Sequence, residues 1–332
     1  MNKSVYIKVP LRVSLLGGGT DFHSFYSNNK GNVLSFTIDK YIYIFMKELS
    51  DYFDEKYRLN YFVTERVDNV NDINNDITRE SIKLQGFDKK LYISTIADIP
   101  QSSGLGSSSS FSVGMNLGLR TLLGGLPDKN TVVKDAINIE IEKLKKPIGI
   151  QDQIATAYGG LNYIEFSKDY KDSYRVSSIK DPFINNTINE NLLLVWTGVH
   201  READHILSNQ EKNASQNRSN LIKLAKKTRE FYDNNKKNFD VSELGNLLNE
   251  VWELKKGLAN NISNNDFDKI YEKGIDAGAL GGKLLGAGGG GFFLFVVKKE
   301  MKKMFIEKMK PLIVDDFKID TDGARVIEKN FK

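Results

Sequence analysis

The residues best equipped for chemistry lie in a few short strings. IPQSSGLGSSSSFSVG, at 99–114, sets a glycine-rich turn between a strand-like run and a helical one. Gly104 and Gly106 carry no Cβ, so backbone there can come close to a polyphosphate. The first amides of the following helix have no intrahelical partner and sit at its positive end, which suits an anion. Ser107, Ser108, Ser109 and Ser110 add hydroxyls for phosphate oxygens or Mg²⁺. On this string alone, a flexible serine-rich loop with an ordinary N-cap is the competing reading. PIGIQDQ, at 147–153, offers Asp152, a carboxylate able to orient an attacking hydroxyl and accept its proton, or else to cap the helix that follows. AINIEIEKL, at 136–144, carries Glu140 and Glu142, only one of which can face the loop.

Other chemistries are excluded. No GxxxxGK[ST] string occurs, because Gly282-Lys283 is followed by Leu284, and HRDxxxxN and DFG are absent, so neither familiar phosphoryl-transfer template fits. There is no cysteine and there are three histidines, His23, His200 and His205, so a catalytic metal must rely on oxygen ligands. A net charge of +4 over 332 residues, without a basic arm, argues against nucleic acid as partner. The opening MNKSVYIKVPLRV alternates like a strand and lacks the apolar core of a secretory signal; a cytoplasmic location without membrane contact is expected. The run at 284–297 is too short to span a bilayer and is rich in glycine.

Strand-like runs at 5–9, 33–46 and 91–95 lead to a helix over 107–123, with Phe111, Met115, Leu119 and Leu122 on one face. A second helix is expected over 132–144. Pro147 and Gly149 then interrupt the chain before a short helix over 151–158, closed by Gly159-Gly160, and a strand at 163–166. The polar stretch 167–191 separates the halves and is read as the boundary, dividing the chain into domains at 1–185 and 186–332. Beyond it come a strand at 192–197, a helix with Leu244, Leu247, Leu248, Val251, Leu254 and Leu258 along its apolar stripe, a strand at 292–297 and a basic helix near 299–310. Mixed elements in both halves give an α+β fold class.

Pro100, Gly104, Leu105, Ser107 and Ser108 resemble the second motif of the GHMP kinases. KVPLRVSLLGGGTDF at 8–22 is similar to the first motif, and GGKLLGAGGGGFFLF at 281–295 to the third, in the family's order. A glycine run wedged between Leu284-Leu285 and an apolar strand suits close backbone packing better than a linker. The resemblance implies the two-domain fold of the family, with a ribosomal protein S5 domain 2-like N-terminal domain and a ferredoxin-like C-terminal domain. It further implies ATP held by Gly104, Leu105, Gly106, Ser107, Ser108 and Ser109, Asp152 as base with Arg12 beside it, and Mg²⁺ held by Ser108 and Glu140.

Where galactokinases carry a Glu-His pair, this chain has Gly18-Gly19 before Thr20-Asp21. Together with GIQDQ, TGVHREADHIL and GALGGKLLGAGGGG, this resembles the branch acting on D-glycero-α-D-manno-heptose 7-phosphate. The resemblance implies transfer to the anomeric hydroxyl, giving a 1,7-bisphosphate for GDP-heptose and surface glycans. Gly18, Gly19, Thr20, Asp21, Gly288 and Gly289 are then expected at the sugar. Arg201 and Lys283 are favoured for its 7-phosphate over His200, while Lys255 and Lys256 are read as solvated charges. An L-fucokinase-like activity on an unphosphorylated sugar and a non-catalytic sugar and ATP sensor stay open, as does a homodimer.

Overall fold

The computed structural model describes residues 3–200, 217–257 and 262–331; Arg201, His205 and Leu258 lie outside the described residues. Its first half is organised by two long strands. β1 (Ser4–Leu16) alternates between half-buried and buried as far as Val9 and is buried throughout from there, as expected of a strand that is covered on one face at first and then on both. After a short helix α1 (His23–Tyr26), β2 (Gly31–Glu48) runs back antiparallel along β1. Then come β3 (Tyr57–Asn60), β4 (Thr64–Val67), α2 (Asp76–Gln85), β5 (Leu91–Ala97), α3 (Ser107–Leu122), α4 (Lys129–Ile137), α5 (Gln151–Tyr158), β6 (Leu161–Phe166) and β7 (Tyr174–Ile179). The length of β2 lets it serve two neighbours, pairing with β6 through Gly31–Phe36 and with β5 through Ile42–Glu48. α3 presses on this sheet at its glycines: a Cβ on Gly114 would stand 2.7 Å from Ile44 and 2.8 Å from Val9.

α6 (Pro182–Asn191) leads into β8 (Leu192–Trp196), and α7 (Arg218–Asn235), α8 (Val241–Lys256) and α9 (Asn265–Asp276) precede β9 (Gly281–Leu284). β10 (Phe292–Val296), α10 (Lys302–Met309) and β11 (Val314–Asp315) complete an antiparallel sheet ordered β11-β8-β10-β9. This is the split arrangement expected of a ferredoxin-like unit, its fourth strand beside its first. β12 (Arg325–Asn330) then pairs with β1. A division at 185/186 would fall inside α6, and it assigns to the second domain a strand that belongs to the first sheet. Both sheets share one hydrophobic cluster, running from Val5 and Phe36 through Leu194, Phe231 and Leu248 to Phe317; a smaller one gathers around Trp252, Phe293 and Phe305.

Several elements differ from the sequence expectation. The helix expected over 132–144 is α4 followed by a π-turn at Asn138–Lys143. The polar stretch 167–191 holds β7 and α6; β7 is polar because it is an edge strand paired only with β6. α2 has caps visible in the sequence, Asn75 accepting from the Thr78 amide and Gly86 left-handed at its end. Among the described residues no helix is long and apolar enough to cross a membrane.

The glycine run 286–291 packs backbone against backbone. Phe292 N–H donates to Ser103 O at 3.2 Å, and a Cβ on Gly291, whose φ is +91°, would stand 2.2 Å from that oxygen. Gly291→Ala is expected to cost at least about 2 kcal/mol in denaturant unfolding, combining left-handed strain with a clash that must move the loop. Gly257→Ala, at negative φ with its nearest neighbour at 3.4 Å, should change stability by less than about 0.5 kcal/mol.

Candidate active site

Arg12 projects from β1 and is 4% exposed. Its Nε donates to Asp152 Oδ1 at 2.7 Å and its Nη2 to Oδ2 at 2.6 Å, a two-pronged pair that fixes the carboxylate plane. Nη1 donates to Gly104 O at 2.7 Å, and the Arg12 amide donates to Leu105 O at 2.9 Å. Gly106 makes room for this: a Cβ there would lie 3.0 Å from Arg12 Cγ. Asp152, in the first turn of α5, is thereby tied to the loop before α3.

That loop ends at Gly106, which is left-handed and starts α3 without any side-chain cap. The first amides of a 16-residue helix are thus left to a cleft lined by Gly104, Gly106, Ser107, Ser108, Ser109 and Glu140, with Ile42, Tyr61, Ile77, Ile99 and Phe111 as its apolar wall. Leu105 is not on this wall; its side chain is in the core and its carbonyl anchors Arg12.

Behind Ser108 stands Glu140, fully buried. The π-turn aims it inward: Ser108 Oγ donates to Oε1 at 2.8 Å and Gln153 Nε2 to Oε2 at 2.8 Å. Burial pushes the Glu140 carboxyl up, opposed first by the Lys146 charge and then by hydrogen bonds from its neighbours. Glu142 instead pairs with Lys145 at 3.4 Å on the surface. One hydroxyl and one desolvated carboxylate at the mouth of a cleft fit a hard divalent cation. Among the described residues no group of three His, Cys, Asp or Glu side chains gathers as a metal set, so such an ion would draw its other ligands from phosphate oxygens and water.

A second cavity opens on the other side of Arg12 and Asp152, lined by Ser14, Gly18, Gly19, Asp21, Gln151 and Lys283. Asp21 is 1% exposed and accepts from the Gly19 amide at 2.9 Å and the Gln151 amide at 3.2 Å. Burial, and after it the nearby Asp152 charge, push Asp21 up to about 6. Gly149 is required beneath it, since a Cβ there would fall 1.9 Å from Asp21 Oδ2. Lys283 is 5% exposed, and burial, with Arg12's charge second, brings it down to about 7. The two cavities share Arg12, Ile148 and Asp152 as their common wall.

Several expected contacts are corrected. Thr20 does not face this second cavity; it is fully buried, its hydroxyl lying 2.8 Å from both Gly17 O and Asn32 O, which share its one proton, and accepting from the Asn32 amide. Gly288 and Gly289 lie against Ile262, to whose carbonyl Gly289 N–H donates at 3.1 Å, while Gly286 and Ala287 line the cavity. Lys255 is not solvated: its ammonium donates to Leu284 O at 2.7 Å and Gly286 O at 2.6 Å. Lys256 pairs with Glu253 at 2.6 Å, and His200 packs on Trp196. Arg201 lies outside the described residues. Sequence reasoning missed Gln151, Gln153 and Lys146, although the first two flank Asp152 in one string.

The profile of the GHMP kinases N terminal domain matches residues 72–160, and that of the GHMP kinases C terminal domain matches 229–308. A D-glycero-alpha-D-manno-heptose 7-phosphate kinase of Campylobacter jejuni is 30% identical over 97% of this chain and 98% of its own length. A bifunctional fucokinase/GDP-fucose pyrophosphorylase of Arabidopsis thaliana is 29% identical over 64% of this chain and 20% of that protein. The crystal structure of a D-glycero-D-manno-heptose 1-phosphate kinase from Bacteroides thetaiotaomicron superposes with a TM-score of 0.72 at 25% identity, covering 99% of both chains.

The raised Asp21 makes a prediction for stability. Between the ordinary 3.8 and about 6, the folded protein keeps a proton that the unfolded chain has released, so this group's contribution to stability falls as pH rises through that window. Urea unfolding of wild type and Asp21→Asn at pH 4 and pH 7 should therefore show wild type losing roughly 2 kcal/mol relative to the variant. A difference that is flat with pH would overturn this assignment.

Proposed function

Because the chain belongs to the GHMP kinase family and is an ATP-dependent phosphotransferase, we propose that it phosphorylates the anomeric hydroxyl of D-glycero-D-manno-heptose 7-phosphate. The observation carrying this reading is the wall common to both cavities. A nucleotide on the α3 side and a sugar on the Asp21 side would meet at Arg12 and Asp152, as direct transfer requires. The sugar oxygen attacks the γ-phosphorus, Asp152 takes the hydroxyl proton, and the bond from that phosphorus to the oxygen bridging to ADP breaks. Arg12 holds Asp152 in plane and ties it to the loop facing the phosphates. The open amides of α3 receive charge developing on the phosphoryl oxygens, already oriented before reaction. Ser108 and Glu140 would hold Mg²⁺, which when bound neutralises phosphate charge.

On the acceptor side Gly18 and Gly19 present backbone where a bulkier pair would fill the cavity, and the ionised Asp21 accepts from sugar hydroxyls. The buried Lys283 favours an anionic substrate, whose charge would stabilise its ammonium form against the cost of burial. Arg201 is proposed alongside it at the 7-phosphate. The Campylobacter jejuni relative, matched nearly end to end at 30% identity, supports the heptose phosphate. The product, a heptose 1,7-bisphosphate, would stand upstream of GDP-heptose and surface glycans.

Release of ADP, followed across heptose 7-phosphate, free heptose, fucose and galactose, should be fastest by at least tenfold in kcat/KM with the first; equal or better turnover of an unphosphorylated sugar would reject the substrate assignment. Asp152→Asn should lower kcat by roughly 10² or more while ATP affinity stays within about twofold. A loss below about tenfold would remove Asp152 from the role of base.

A further inference from the structure

The segment joining the π-turn to α5 carries a cation that belongs to none of the three glycine motifs. Lys145 has φ +52°, a left-handed turn that reverses the chain. The Lys146 amide donates to Glu140 O at 2.9 Å, and its carbonyl accepts from the Ile148 amide at 2.9 Å, so its backbone is held on both sides. Its side chain, 20% exposed, lies along the nucleotide cleft beside Ser107, Ser108 and Asp152. Nζ donates to Ser108 Oγ at 3.2 Å and stands 3.9 Å from Glu140 Oε1. Lys145, by contrast, points to solvent with its side chain 75% exposed.

Two features make this more than a structural ion pair. An ammonium has three donors; Ser108 Oγ takes one, and at 3.9 Å Glu140 compensates the charge without a close hydrogen bond. Moreover, Ser108 and Glu140 are the groups that suit a divalent cation. A cation bound there would repel the ammonium, and the anions nearest to receive it would be the terminal phosphate oxygens of a nucleotide seated on the α3 amides.

We propose that Lys146 is a phosphate-binding residue: without nucleotide it balances the buried Glu140, and with nucleotide it donates to the β- and γ-phosphate oxygens. The inference rests on the kinase reading above, with the nucleotide in this cleft. It requires the cost of losing Lys146 to grow with the number of phosphates, which a merely structural role would not produce.

The test is equilibrium binding of a non-hydrolysable ATP analogue, ADP and AMP to the full-length protein in Mg²⁺, for wild type, Lys146→Met and Lys146→Arg. Lys146→Met is expected to weaken the triphosphate by about tenfold to a hundredfold, the size of a lost charge-assisted hydrogen bond, and AMP by less than twofold. Lys146→Arg, which keeps the charge, should recover most of the loss. Equal weakening of all three nucleotides, or no weakening, overturns the proposal. If Lys146→Met fails to fold, the Arg variant decides: near-wild-type triphosphate binding supports the role, and loss of triphosphate and AMP alike rejects it. Wild-type ADP release, measured first, tests the kinase reading separately, because its absence would sink that reading before any variant is compared.

Discussion

The two-pronged bond between Arg12 and Asp152 joins three parts of the chain that are far apart in sequence. Burying an arginine removes its hydration, and such a charge is tolerated only when its donors find well-placed acceptors. Here Nε and Nη2 meet the carboxylate, and Nη1 meets the carbonyl of Gly104. Strand β1, the loop before α3 and the first turn of α5 are therefore fixed by one side chain. Removing either partner would leave the other charge buried without its match, which is far more costly than the pair's net worth.

Around that pair the glycines act by what they leave out. Gly106 gives space to the Arg12 side chain, Gly149 to the Asp21 carboxylate, and Gly291 to the carbonyl of Ser103. The first motif thus touches the second through Arg12, and the third touches the second through Ser103 and Gly104. Three strings spread along the chain become one contact surface, with the N-terminus of α3 at its centre. Backbone approach of this kind explains why 286–291 is glycine at every position but Ala287 although it lies between Leu284-Leu285 and the apolar β10, where chain flexibility would serve nothing.

Much of this was legible in the sequence because local rules and the fold agree. The turn-to-helix context of 104–109, the aspartate after Pro147 and Gly149, and the strands around β2 all follow from periodicity and chain breakers. What was not legible depends on three-dimensional neighbours. Nothing in AINIEIEKL announces a π-turn, although its spacing does require that only one of the two carboxylates face the loop, and it is Glu140 that is buried while Glu142 pairs on the surface. Thr20 looks like a ligand contact beside Asp21, but its hydroxyl closes the loop onto Asn32, a partner twelve residues away that the local string does not reveal. Lys255 looks solvated on a polar helix, because the carbonyls it serves come from residues some thirty positions later. β12 returns to β1 from the far end of the chain, a pairing that no local pattern encodes.

The cavity beside Asp152 holds two groups whose charged forms burial disfavours. Asp21 is raised to about 6 and Lys283 lowered to about 7, the first also by Asp152 and the second also by Arg12. Each sits beside a charge of its own sign, and neither is the other's chief partner. Such an arrangement is costly even though Asp21 accepts from the Gly19 and Gln151 amides, and a ligand bringing further hydroxyl donors and negative charge would ease it. A neutral apolar ligand would deepen the desolvation and satisfy neither group. On the proposed reading, these charges would favour a polyhydroxylated, anionic molecule before any question of which sugar arises.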